Sequence, residues 1–359
     1  MKLIRFSRGD ATPEFGVVVG DRALAFSSLQ ARSWRSRPAL HDSRSYLAAL
    51  PESEQAAREL LAWAEAHPEA LPEGERPLLA SVKLHAPVEV AALYDFGLTP
   101  RHLANSADTM ARHEKDNPQT SALIEAFRQM LQKPPVATPP GQAERLSYYK
   151  CNMNSVSGDG ASIPWPRYTS RLDIEPELAF VYGNARQPIA GYCIFNDVSA
   201  RDVQAPEIIG GFCLTKDMAQ GNQLGPWLVT PDEVGDPRAL EVNVTVDGSE
   251  RYRGSTAEIS HTAQDVIRWL ETICPLAPGS VIGMGTIPDC TGLDHDDFID
   301  PGAAIAISFS RLGTLRCRFA EPQGRLLPSR WPLRPALERY HRPITPPAAT
   351  AAASCRSSP

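Results

Sequence analysis

Between residue 134 and about 320 the apolar residues of this chain fall in short runs. LAFVYG, GYCIFND, GPWLVT, VNVTV, GSVIGMG and AIAISF are separated by Gly, Pro and Asp. Runs this short fit one crossing of a sheet better than a helix with an apolar stripe. The expected fold class is therefore α+β, mostly β. One helix interrupts the pattern near 263–273 (AQDVIRWLETI). The first 30 residues repeat the signature: KLIRF, GVVVG and ALAF, divided by Gly9-Asp10 and Asp21-Arg22, read as a small antiparallel meander.

Between these β regions the period changes. Residues 52–66 place Leu60, Leu61 and Ala64 on one face of a helix, which Pro68 and Pro72 end. The stretch 67–81 is rich in Pro, Glu and Gly and reads as a linker. It divides a small N-terminal β-rich domain, 1–81, from a larger domain, 82–335. Residues 102–132 are helical in pattern, with Ser121 as the cap of the amphipathic SALIEAFRQML. Residues 341–359 are rich in Pro, Ala and Ser. They bury too little apolar surface to offset ordering, so a disordered tail is expected.

Composition removes several function classes. The net charge of -6 and pI of about 5.8 disfavour a partner held by nucleic-acid phosphates, which needs clustered Lys and Arg. No segment reaches the roughly 20 apolar residues that span a bilayer. MKLIRFSRGD has no apolar core of signal-peptide length, so a cytoplasmic location is expected. The seven cysteines, at 151, 193, 213, 274, 290, 317 and 355, include no C-x-x-C pair. They are expected to be buried free thiols.

The most informative stretch is RLDIEPELAFVYG, 171–183. On a strand, Asp173, Glu175, Glu177, Ala179 and Val181 share one face, and Leu172, Ile174, Leu178 and Phe180 the other. Glu175 and Glu177 then stand about 7 Å apart at Cα. One reading is a half-buried strand whose polar face meets water. Against it, the charged face turns apolar at Ala179 and Val181. If both glutamates are buried, their repulsion is about 2 kcal/mol at an effective dielectric near 20. A hard divalent cation with oxygen ligands removes that conflict. Asp197, closing the run GYCIFND, is the natural third ligand. An all-oxygen set suits Mg2+, with Mn2+ or Ca2+ as alternatives, better than zinc. A glycosidase reading of the two glutamates fails because parallel side chains on one strand cannot flank a sugar bond from opposite sides.

Glu175-Pro-Glu177, followed by Asn196-Asp197-Val-Ser199-Ala200-Arg201-Asp202-Val-Gln204, resembles the metal-binding core of the fumarylacetoacetate hydrolase family. The similarity runs from about 85 to 320 and takes in YYKCNMNSVSG, LGPWLVTPDE and MGTI. It implies a mixed β-sandwich roll as the catalytic domain, often a homodimer. It also implies that Asp95 is a fourth metal ligand and that His102, seven residues on, is the general base. Arg201, Gln204 and Lys216 correspond to groups that hydrogen-bond the substrate and its developing charge. Tyr149, Thr286 and Arg112 correspond to substrate contacts. Pro176 departs from the family pattern and is expected at an edge or a bulge. The segment 208–220 is more apolar than usual for the family, and no Glu stands ready to orient His102.

The resemblance implies metal-dependent hydrolysis of a C–C bond in a 1,3-diketone or acylpyruvate-like substrate, by water activated at His102, with an enolate leaving on the metal. The same constellation fits a decarboxylase, dehydratase or isomerase acting on a 2-oxo acid or enol. A non-catalytic member of the family is the remaining alternative.

Overall fold

The computed structural model describes residues 1–133 and 144–341. A sheet of 11 strands forms the centre. Its main path runs Arg22–Ala25, Glu14–Val19, Lys2–Ser7, Asn222–Val229, Ile189–Asp197, Pro176–Tyr182, Ser280–Thr286, Ala92–Phe96 and Tyr148–Lys150. Neighbours on this path are antiparallel except Ser280–Thr286 beside Ala92–Phe96. A second sheet orders Ser249–Ser255, Glu241–Val246, Ala304–Phe309, Gly313–Phe319 and Ala161–Ile163. The chain thus has the mostly β, α+β character its short runs predict.

The central sheet is covered on both faces. On one, Leu178, Phe180, Ile194 and Ile282 join Val244, Ile307 and Phe319 of the second sheet in one core, which also takes in Val266, Ile267 and Leu270. Those three belong to the helix Ala263–Glu271, started by a capping box between Thr262 and Asp265. On the other face, Ala179, Val181, Cys193, Phe195 and Val281 pack with Phe26, Tyr46, Leu47, Ala57 and Leu60 of the N-terminal segment. The face assignment along 172–181 therefore follows the predicted alternation.

The meander of the first 25 residues is present, and the helix expected over 52–66 spans Glu52–Ala66. The meander is hydrogen-bonded to the central sheet, Leu3 pairing with Leu228. The helical stretch 102–132 divides into Pro100–Glu114 and Pro118–Leu131. The second of these is capped by Asn117, whose side chain accepts from the Gln119 N–H, and not by Ser121. Pro118 explains the difference, because it lacks an N–H and fits the first helical position. Pro176 opens its strand, and a register shift lies between Glu177 and Ala179, so the missing N–H falls at a strand start beside an irregularity. Cys151, Cys193, Cys290 and Cys317 are buried thiols, whereas Cys213 and Cys274 are exposed, against the expectation. Cys355 and the expected tail beyond His341 lie outside the described residues. No helix among the described residues is long and apolar enough to cross a membrane.

Candidate metal and catalytic site

The site continues one face of the central sheet past the edge of its apolar cover. Ala179, Phe195, Leu93 and Val281 lie under the N-terminal layer. Two residues further along each strand, the same face presents Glu177, Asp197, Asp95 and Gly283. Glu175 precedes the strand start at Pro176, tied to the next strand by its carbonyl, which accepts from the Asp197 N–H. Its own N–H donates to the Asn196 side-chain oxygen at 3.1 Å. All four carboxylates are buried.

Carboxylate oxygens of Asp95, Glu175 and Asp197 lie within 4.8 Å of one another. Glu177 adjoins them: its oxygens accept from the Gly285 N–H and the Thr286 hydroxyl, each at 3.1 Å. Burial and the neighbouring Asp95 charge hold the Glu177 carboxyl well above the usual carboxylate range. Burial likewise raises Asp95, and it lifts Asp197 to about 7 against the pull of Lys216. Two cationic side chains face this group. The Lys216 ammonium donates to Glu175 and, at 2.6 Å, to Asp197, while the Arg201 guanidinium reaches Glu175 at 2.7 Å and Asp173 at 3.0 Å. Oδ1 of Asp95 and Oδ1 of Asp197 are buried without any hydrogen-bond partner. Unmet acceptors at that depth are rare, and a hard divalent cation would satisfy both. The residues present therefore fit such an ion, held by Asp95, Glu175 and Asp197, with Glu177 at its margin.

His102 lies in the first turn of Pro100–Glu114 and is buried. Its Nδ1 is 2.9 Å from Oδ1 of Asp294, and its Nε2 is 3.2 Å from the Ser106 hydroxyl and 3.6 Å from Glu175. Burial alone would lower its pKa. The Asp294 charge and hydrogen bond, helped by Glu175, outweigh that and raise it to about 9. Asp294 is the orienting carboxylate the sequence did not reveal. Its other oxygen accepts from the Asp289 N–H, and its short helix Gly292–His295 is pinned by Asp173, which accepts from the Gly292 and Leu293 N–H groups. The signal was the acidic run DHDD, 294–297, led by the capping Thr291.

Residues 120–320 match the family profile described as the Fumarylacetoacetate (FAA) hydrolase C-terminal domain. The chain belongs to the fumarylacetoacetate hydrolase family. A Staphylococcus haemolyticus relative is 28% identical over 191 residues, 50% of this chain and 63% of that protein. A Burkholderia ambifaria relative is 36% identical over 171 residues, 45% of this chain and 60% of that protein. The chain thus spans less than two thirds of the length of these curated relatives. Maleylpyruvate hydrolase from Sphingobium sp. SYK-6, solved with manganese(II) and pyruvate, shares the fold at a TM-score of 0.60 and 20% identity. That likeness covers 90% of this chain and 100% of the hydrolase. A 5-carboxymethyl-2-hydroxymuconate delta-isomerase from Mycobacterium smegmatis does so at 0.57 and 22%, over 89% and 99%.

Most of the polar residues singled out by the fumarylacetoacetate hydrolase resemblance converge on this pocket. Tyr149, opposite Asp95 in the sheet, donates its hydroxyl to Asp197, and its ring lies 5.6 Å from the Lys216 ammonium. Gln204 accepts from Arg201 at 3.2 Å, and Thr286 donates to Glu177. Nη2 of Arg201 is buried without a partner. Arg112 is not brought in. It sits in the last turn of the His102 helix, roughly 15 Å along the axis at the α-helical rise, donates to Thr109 and faces Asp296 at 3.8 Å.

Gly283 makes the family pocket fit. A Cβ there would stand 2.5 Å from Glu177 Oε2, 3.0 Å from the Phe195 ring and 3.1 Å from Asp95 Oδ1. Gly283→Ala is expected to weaken divalent-cation affinity by about 10- to 100-fold, as displaced supports of metal ligands do. Calorimetric titration with Mn2+ measures this. Unchanged affinity would show that the carboxylates need no such closeness.

Proposed function

We propose that this chain is a divalent-metal-dependent hydrolase that cleaves a C–C bond in a 1,3-diketone or acylpyruvate-like substrate, with Mg2+ or Mn2+ as its ion. The observation that carries the reading is the His102–Asp294 pair directly beside the carboxylate cluster. The family assignment supports it, as does the manganese and pyruvate complex of a hydrolase with the same fold.

With Nδ1–H held on Asp294, the His102 Nε2 faces the cluster and, once it has lost the proton that the raised pKa of about 9 favours, can take one from water. Asp294 fixes the tautomer and stabilises the imidazolium that results. Attack on the carbonyl develops negative charge, which the unpartnered Arg201 Nη2 and the Lys216 ammonium are placed to offset. A divalent ion held by Asp95, Glu175 and Asp197 would supply Lewis-acid polarisation of the substrate oxygens, and its positive charge would oppose the rise of the His102 pKa.

Hydrolysis adds one water oxygen to the acid product. Turnover of a 2,4-dioxo acid in ¹⁸O-water should therefore place one label in the carboxylate of a cleaved fragment, read by mass spectrometry. Release of carbon dioxide, or a product of unchanged mass, would instead assign the site to decarboxylation or isomerisation.

A further inference from the structure

One edge of the pocket is built unlike the rest. Glu207 pins a loop by accepting from the Leu214 N–H at 2.9 Å, the Thr215 N–H at 2.9 Å and the Thr215 hydroxyl at 2.7 Å. The tip of that loop is apolar and open, with Ile209 75% exposed and Leu214 47% exposed. Between them Phe212 meets the Tyr149 ring edge-on, centroids 5.6 Å apart. The Tyr149 hydroxyl is on Asp197, so the apolar surface begins one ring's length from the carboxylate cluster. The loop's charges are equally telling. Glu207 and Asp217 are acidic and close enough that Glu207, after burial, helps raise the Asp217 carboxyl. Lys216, the cation on this segment, is turned inward to Glu175 and Asp197.

We propose that Ile209, Phe212 and Leu214 form a subsite for an uncharged hydrocarbon or aryl tail, and that the substrate is a 2,4-dioxo acid with a single carboxylate. The inference rests on the dioxo-acid reading above and narrows it. A second carboxylate at the tail would find no free cation among the described residues 207–217, whose remaining charges, Glu207 and Asp217, are acidic. An apolar tail instead covers Ile209 and Leu214 and gains from removing their surface from water.

The test is calorimetric binding to the Mn2+-loaded His102→Ala protein, in which slow turnover does not interfere. The ligands are straight-chain 2,4-dioxo acids of rising tail length and one of matched length ending in a second carboxylate. Each methylene is expected to tighten Kd by about fourfold. The dicarboxylate should bind at least about tenfold more weakly than its methyl-ended counterpart. Combining Ile209→Asp with Leu214→Asp should flatten the length dependence while leaving the shortest ligand within about twofold. A flat dependence in the starting protein, a dicarboxylate that binds as well, or a slope that survives the double variant would overturn the subsite and leave the dioxo-acid reading intact. Failure of every 2,4-dioxo acid to bind, the shortest included, would remove both.

Discussion

His102→Ala is expected to lower turnover by about 10²- to 10⁴-fold, the usual contribution of a positioned general base, while Mn2+ binding changes little. The reason is geometric. His102 approaches Glu175 at 3.6 Å, but the oxygens available for a cation belong to Asp95 and Asp197. Asp294→Asn should reproduce much of the loss, because the amide no longer favours the imidazolium and can present its NH2 to Nδ1, reversing the tautomer. Steady-state kinetics paired with a metal titration separates the two quantities. A near-normal rate for His102→Ala would make the histidine a structural group and point to chemistry that needs no activated water.

Two carboxylate substitutions should behave oppositely toward the fold, although both abolish metal binding. Glu175 pairs with Arg201 and Lys216 at side-chain exposures of 0 to 6%. Glu175→Ala leaves both cations with less counter-charge in a buried place and should destabilise the protein by about 3–5 kcal/mol. Among the described residues Asp95 has no ion-pair partner; it has one orphaned oxygen, and is held above its ordinary pKa by burial against the pull of Lys216, with Glu175 adding to the rise. A carboxyl raised in the folded state opposes folding once it is ionised. Asp95→Asn should therefore leave the metal-free protein as stable as before or more so, while the metal is lost. Thermal unfolding with and without EDTA, alongside metal analysis, reads both effects. Equal destabilisation by the two variants would contradict this distribution of charge.

The glutamate strand was legible because alternation is a local property. Once Pro176–Tyr182 forms a strand, Glu177 must share a face with Ala179 and Val181, while Glu175, just ahead of the strand, is held beside them by its backbone bonds to Asn196 and Asp197. Asp197 was legible for the same reason, as the last residue of an apolar run. The partner of His102 was not, because Asp294 lies 192 residues away. Nothing within the run DHDD says which acid turns inward. That is decided by Thr291 capping the short helix and by Asp173 holding its first N–H groups. Arg112 shows the opposite failure. The family resemblance assigned it to a substrate contact, yet it lies in the last turn of the helix that carries His102 in its first, and there it faces Asp296 rather than the carboxylates. The apolar character of 208–214 was visible in sequence, but its position against Tyr149 required the sheet to bring Tyr148–Lys150 beside Ala92–Phe96.

The pairing of Lys2 with Val229 and Leu3 with Leu228 carries a consequence for synthesis. At ordinary translation rates the ribosome needs on the order of 10 to 45 seconds to make the residues separating these partners. Lys83–Leu84 can cover the Phe6–Ser7 end of the strand Lys2–Ser7 earlier, but until then its Lys2–Leu3 end keeps free N–H and C=O groups, an open edge of the sort that recruits other chains. Such distant pairing also slows folding after release. Chaperone demand in a recombinant host should accordingly fall sharply once the ribosome passes residue 229, and nascent chains stalled before that point should be the ones found in aggregates.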